Sequence, residues 1–494
     1  MALQNPAKQN LFWHRIQQWP SSESKRWRLI PAYQTNVSWL FLRGLGLIYF
    51  AAFASLAVQI EGLIGSAGIL PIAAKLDALK SFPEFDQYWL FPTLFWLNSS
   101  NFALSLACSS GMIAALLLIL NYGERAALIA CYLFYLSLTT AGQNFTAFQW
   151  DGFLLEAGFL GIFLTWGSGI IIFLYRWLIA RFMFMGGVVK LASGDPSWAN
   201  LTALNYHYLT QPLPSPLAYY AYFLPGWFHR ACVAGVFFIE LVVPFFVFFP
   251  HKFRLFAAWS FIALQGSIIA TGNYGFFNLL TILLCLFLFD GRDIEKILPK
   301  QLAAKISPQL PRAGKTAHIM AGIWAFLVFF TAATHSWIYH THKQPAAPIN
   351  NLINTVSAFA VINNYGPFAI MTTTRAEIII EGSNDGLHWL EYGFKYKPDR
   401  LTKPLRYNIP HQPRLDWQMW FAALTAPEKP FWLRRFLYQL QLGSPAVLAL
   451  LAYNPFPDNP PKYLRIHLYR YTYTSPKLRE TSGKTWQRQS LYIY

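Results

Sequence analysis

The chain has 494 residues, of which 55% are hydrophobic and only 12% charged. Soluble domains carry about a quarter charged residues, so this composition excludes an ordinary soluble enzyme. Beside so much apolar sequence, the formal charge of +17 reads as basic loops that orient membrane helices and meet anionic headgroups, and no compact basic motif for DNA or RNA is present.

Residues 1–36 are polar and aromatic-basic, unlike a cleavable signal, and are expected to stay in the cytosol. The apolar sequence over 37–340 predicts an α-helical polytopic membrane protein of about nine spans. The spans fall near 37–58, 102–120, 125–141, 151–166, 168–190, 230–249, 255–271, 275–290 and 317–338. The fourth is short and reads as tilted or partly re-entrant. The link Thr271-Gly272-Asn273-Tyr274-Gly275 is irregular at membrane depth, which requires protein or water around it.

Basic residues set the orientation. Lys8, Arg15, Lys25, Arg26 and Arg28 lie before the first span, and counting crossings puts Lys252, Arg254, Arg292, Lys296, Lys300, Lys305, Arg312 and Lys315 on the same side. The long loops 59–101 and 191–229 are poor in basic residues and fall outside. An odd number of spans then places the C-terminal domain, 345–494, outside the cytosol.

That domain reads as α+β around a small sheet. Ala376–Ser383, the turn Asn384-Asp385-Gly386 and Leu387–Tyr396 predict a β-hairpin, and Tyr463–Tyr473 alternates as a half-buried strand. Arg414–Leu424 and Pro430–Leu451 read as helical, the latter apolar enough to lie on a membrane surface. The four cysteines, Cys108, Cys131, Cys232 and Cys285, lie in apolar runs and behave as small hydrophobes. No metal or cofactor motif occurs, so none of either is expected.

Charges inside a membrane are functional candidates. Glu156 lies several residues below the outer surface and Asp151 near it; either serves a ligand or proton, or holds two helices together. Arg176 and Lys190 are about four turns apart and share a face of span five, while Arg181 points elsewhere. Depth makes Lys190 the expected partner of Glu156 or Asp151, and a lysine shielded from water can act as a base. Glu240, one turn before Pro244, is expected to pair with Arg181 or Arg176, or to remain protonated. Asp195, Trp198, Asn205, Tyr206 and His207 lie in the loop 191–229, which reads as the cap of a cavity facing a ligand or client; an interfacial aromatic belt is the plainer reading of its rings.

Several long segments resemble one family. Phe148–Phe159, Gly186–His207, Tyr208–Pro225 and Gly272–Asn278 closely resemble the lipase maturation factors, and Asn364–Arg375 with Glu377–Gly386 resembles that family's C-terminal domain. The resemblance runs from roughly 37 to 475 and implies a membrane-resident helper for folding and assembly of secreted lipases, here in a bacterial member. Its partners would be membrane lipids and a secreted client such as a lipase. Gly187–Trp198 also resembles the segment of the vitamin K-dependent gamma-glutamyl carboxylases in which a lysine is thought to act as base, and Lys190 falls at or near that position. The competing reading is therefore an intramembrane enzyme acting on a quinone or lipid-like molecule, with Lys190 as base and Glu156 or Asp151 setting its pKa. A transporter would prefer internal repeats, and none is visible.

Overall fold

A computed structural model of the chain describes residues 30–81, 86–297, 313–341 and 343–493. Most of the expected cytosolic segment, and the basic residues Lys300, Lys305 and Arg312, lie outside the described residues. Among the described residues, a helix stands at each predicted apolar segment: α1 Thr35–Ala57, α2 Asn101–Ile119, α3 Glu124–Ala141, α4 Gln149–Leu164, α5 Gly169–Ala192, α6 Gly226–Phe246, α7 His251–Thr271, α8 Phe277–Leu288 and α9 Lys315–Thr341. Six of these, α1, α2, α5, α6, α7 and α9, are long and apolar enough to cross a membrane. The others are shorter or less apolar, with 18 residues in α3 and 16 in α4; a straight crossing takes about 20.

Local chemistry starts these helices and interrupts one of them. Ser100 and Ser168 cap α2 and α5 by accepting from the N–H groups of Ala103 and Ile170. α1 is central, packing against α2, α4 and α8. Its approach to α4 depends on Gly158, where a Cβ would lie 1.8 Å from the Tyr49 hydroxyl oxygen. Inside α6, residues Phe238–Val242 form one π-helical turn. Pro244 has no N–H to give the Glu240 carbonyl, so the α-helical ladder is interrupted where the extra residue is accommodated.

The C-terminal domain opens with α10 Ala347–Ala358 and contains β1 Arg375–Ser383, β2 Leu390–Glu391, β3 Tyr463–Tyr473 and β4 Trp486–Ile493 in one antiparallel sheet ordered β2-β1-β3-β4. The predicted hairpin is present, with Glu381 opposite Glu391 and Gly386 at φ +76° in the turn. Between β2 and β3 lie α11 Arg414–Leu424 and α12 Phe431–Gln441. The helix expected over 430–451 is broken after α12, because Gly443 takes φ +65° and Pro445 starts a separate short turn. β4 was not expected. Its sequence alternates weakly, since beyond the buried Trp486 the strand is largely exposed and needs no apolar side.

The sheet is not free in solution. Ile378 and Ile380 of β1 join the main core, whereas Ile379 packs with Leu209, Tyr219, Tyr471 and Trp486. The loop 191–229 is therefore held against the sheet. The domain also meets Ser55 and Gln59 near the end of α1, Asp151 at the start of α4 and Ala270 at the end of α7. All of these mark one end of the bundle, called here the docked end.

Candidate functional site

The docked end is tied down through buried charge. Arg414 and Asp151 are fully buried, and the guanidinium grips both carboxylate oxygens, at 2.5 and 2.7 Å. The Tyr135 hydroxyl donates to the same carboxylate at 2.5 Å. This neighbourhood raises the Arg414 pKa, with burial opposed and outweighed by Asp151. Glu156 is equally saturated. Its oxygens accept from Arg181, from the Asn363 backbone N–H at 3.0 Å and from the Tyr365 hydroxyl at 2.7 Å. Arg375, also fully buried, donates to the carbonyls of Leu209, Gln211 and Pro212 at 2.8, 2.5 and 2.9 Å and to Glu377 at 2.9 Å. It thereby satisfies loop carbonyls that would otherwise be stranded beneath the sheet.

Lys190 lies apart from these carboxylates. Its ammonium donates to Glu240 Oε2 and Oε1 at 2.7 and 2.9 Å and to the Gly186 carbonyl at 3.0 Å, with the Trp198 ring 5.4 Å away. Gly186 and Gly187 make this possible: a Cβ on Gly187 would press on Leu241 at 2.7 Å and Glu240 at 3.1 Å. The π turn presents Glu240 toward α5. The ammonium's donors are thus all used, by Glu240 and the Gly186 carbonyl, and the ion pair neutralises itself.

This pair forms part of the wall of a mainly apolar cavity of about 110 Å³ between α5, α6, α7 and α8. Trp198 and His207 from the loop, and Pro367, Phe368 and Met371 from the C-terminal domain, close it. The Trp198 indole donates to the Phe368 carbonyl at 3.0 Å, and the Met371 N–H donates to Asp195 at 2.5 Å. For Asp195, the hydrogen bonds from Met371 and Ser197 overcome burial and hold its carboxyl below the usual range. His207 is pushed down to about 4 by burial and by nearby Lys190, so its imidazole is neutral at physiological pH.

Several sequence expectations are corrected here. Lys190 pairs with Glu240, not with Glu156 or Asp151; Glu240 therefore does not pair with Arg181 or Arg176. Arg176 sits toward the other end of α5 and donates to the Phe287 carbonyl at 2.8 Å. Depth along the chain suggested the wrong partners because helix rotation and the π turn decide which carboxylate faces α5. Of the loop residues, Trp198 and His207 reach the cavity, whereas Asp195 caps a short helix and Asn205 binds His229 at 2.7 Å. Tyr206 packs in the cluster around Trp198. The link 271–275 is irregular and covered by protein, as its depth requires: Asn273 donates to the carbonyls of Leu213 and Arg406 and accepts from the Asn408 N–H.

Arg414, Arg375, Asn363 and Tyr365 were missed as partners because they lie far along the chain from the charges they meet. Gln265 and Asn278, paired at the cavity wall, were also passed over. For Asn278 a signal existed, since it ends the Gly272–Asn278 segment, but a neutral amide in an apolar helix attracts less notice than a charge.

Comparison with known proteins matches residues 36–296 to the family described as the lipase maturation factor transmembrane domain and residues 361–494 to the lipase maturation factor C-terminal domain. Lipase maturation factor 2 of Gallus gallus is 34% identical over 91% of this chain and 79% of its own length. Lipase maturation factor 2 of Xenopus tropicalis is 32% identical over 91% and 80%, and lipase maturation factor 1 of Homo sapiens 32% identical over 94% and 89%. No solved structure matches. With both parts matched, the chain is an integral membrane protein belonging to the lipase maturation factor family.

Proposed function

We propose that this protein is a membrane-resident factor that assists folding, assembly or maturation of secreted proteins, with lipases as clients. The observation that carries the reading is the family match over both the bundle and the C-terminal domain, to relatives named for lipase maturation. The proposed topology has about nine crossings, residues 1–36 in the cytosol, and the loops 59–101 and 191–229 and the domain 345–494 outside. The described basic residues support it: Arg254 and Arg43 bind Asp290 and Glu124 at the end opposite the docked one. The membrane is the bacterial cytoplasmic membrane, or the endoplasmic reticulum in a eukaryotic host. The client meets the docked face, where the loop carrying Asp195, Trp198, Asn205, Tyr206 and His207 and the sheet come together.

The alternative, an intramembrane enzyme with Lys190 as base, gains no support. Lys190 is engaged by Glu240, and Glu156 and Asp151 serve other cations. Deleting the gene in its host tests the main reading. Active secreted lipase should fall while its transcript stays constant, and the wild-type gene should restore it; unchanged secreted lipase would defeat the proposal.

A further inference from the structure

The cavity beside Lys190 carries a polar mismatch. Asn278 Nδ2 donates to Gln265 Oε1 at 2.6 Å, but Asn278 Oδ1 is buried and has no partner among the described residues. Among the described residues, Gln265 Nε2 meets only the Met183 sulfur, at 3.9 Å, a weak acceptor. Both amides are deeply buried, at 3% and 4% exposure, and both line the cavity. A buried acceptor without a partner destabilises the fold, and each such group in a native protein calls for an explanation. An acceptor and an underused donor on adjacent amides are the complement of one hydroxyl group, which gives one hydrogen bond and accepts another.

The rest of the wall narrows the ligand further. Phe182, Phe277, Leu264 and Ile268 supply apolar surface. Lys190 is neutralised by Glu240, and His207 is neutral, so nothing in the wall asks for a charged headgroup. Val236, Leu264 and Ile268 are only half-buried and belong to α6 and α7, two helices suited to cross a membrane. The apolar side of the cavity therefore faces the lipid phase. At about 110 Å³ it is smaller than the roughly 150 Å³ apolar cavity that holds benzene, so it seats one end of a molecule.

We infer that the cavity binds the hydroxyl end of a neutral, lipid-soluble alcohol. Its O–H donates to Asn278 Oδ1, its oxygen accepts from Gln265 Nε2, and its apolar body runs between α6 and α7 toward the bilayer. This assignment is independent of the client, and it would stand if the client were not a lipase.

The test uses the full chain in detergent micelles and a long-chain alcohol bearing a photoreactive diazirine, with labelled peptides identified by mass spectrometry. Label is expected on the cavity-lining peptides around Met183, Leu264 and Met371. Dodecanol should compete about tenfold better than dodecyl methyl ether, which lacks the donor; tenfold corresponds to about 1.4 kcal/mol, one hydrogen bond. Asn278→Ala should erase that preference, and Leu264→Trp, which fills the cavity while leaving both amides in the chain, should abolish cavity labelling in a protein that still unfolds at the wild-type temperature. Equal competition by alcohol and ether in the wild type, label confined to lipid-facing surfaces, or full labelling of Leu264→Trp would each overturn the inference. Should Asn278→Ala fail to fold, the wild-type competition ratio and Leu264→Trp decide.

Discussion

Among single residues, the buried ion pairs carry the sharpest consequences. Removing one partner leaves a buried charge alone, at about 3–5 kcal/mol, whereas replacing both with apolar groups is often close to neutral. Lys190→Met should therefore lower the unfolding temperature of the purified protein markedly, and the double variant Lys190→Met with Glu240→Leu should recover most of it. A double variant no more stable than Lys190→Met would mean that the pair is not coupled as the geometry has it. These charges were legible in the sequence as exceptions to an apolar background, and every one of them is engaged. Their partners were not legible. Lys190 and Glu240 are joined by two glycines and a π turn, features of backbone shape that side-chain depth does not encode. Asp151 and Arg414 are 263 residues apart, so no local pattern could link them.

Among the elements, the loop 191–229 is the joint between the bundle and the C-terminal sheet. Arg375 fastens it from β1, Tyr219 donates to the Thr474 carbonyl at 2.9 Å, and Trp420 donates to the Thr210 carbonyl at 2.8 Å. Most of the elements were legible: the β1–β2 turn, β3 and α11 follow from turn chemistry and period. β4 and the break after α12 were not, the first because an exposed edge strand has no apolar period, the second because one glycine in αL ends a pattern that hydrophobicity would continue. Arg375→Met keeps much of the side chain's volume but strands the carbonyls of Leu209, Gln211 and Pro212. It should loosen the loop without unfolding the bundle. In limited proteolysis, cleavage within 191–229 should rise severalfold over wild type while α1 to α5 stay protected; an unchanged cleavage rate would show that the loop is held by packing alone.

For the whole molecule, acidity bears on the docking of one part on the other. His207 closes the cavity, and His411 binds Ser55 of α1 through Nδ1 at 3.0 Å. Both are pushed down to about 4, His207 by burial and Lys190, His411 by burial and then by Arg414 and Lys395. An unfolded histidine titrates near 6.5, so between about 4 and 6.5 the unfolded chain binds more protons than the folded one. Stability from these two groups is complete above about 6.5, declines as the pH falls and levels off below about 4. The topology proposed above puts the docked face outside the cytosol, where compartments differ in acidity. The unfolding temperature of the purified protein should therefore drop as the pH is lowered from 7 to 4.5, about the range these two shifts span. In a variant carrying both His207→Gln and His411→Gln, which keep a neutral polar side chain at both pH values, the drop should be smaller. If wild type and double variant lose stability in parallel, the two histidines do not govern the acid response.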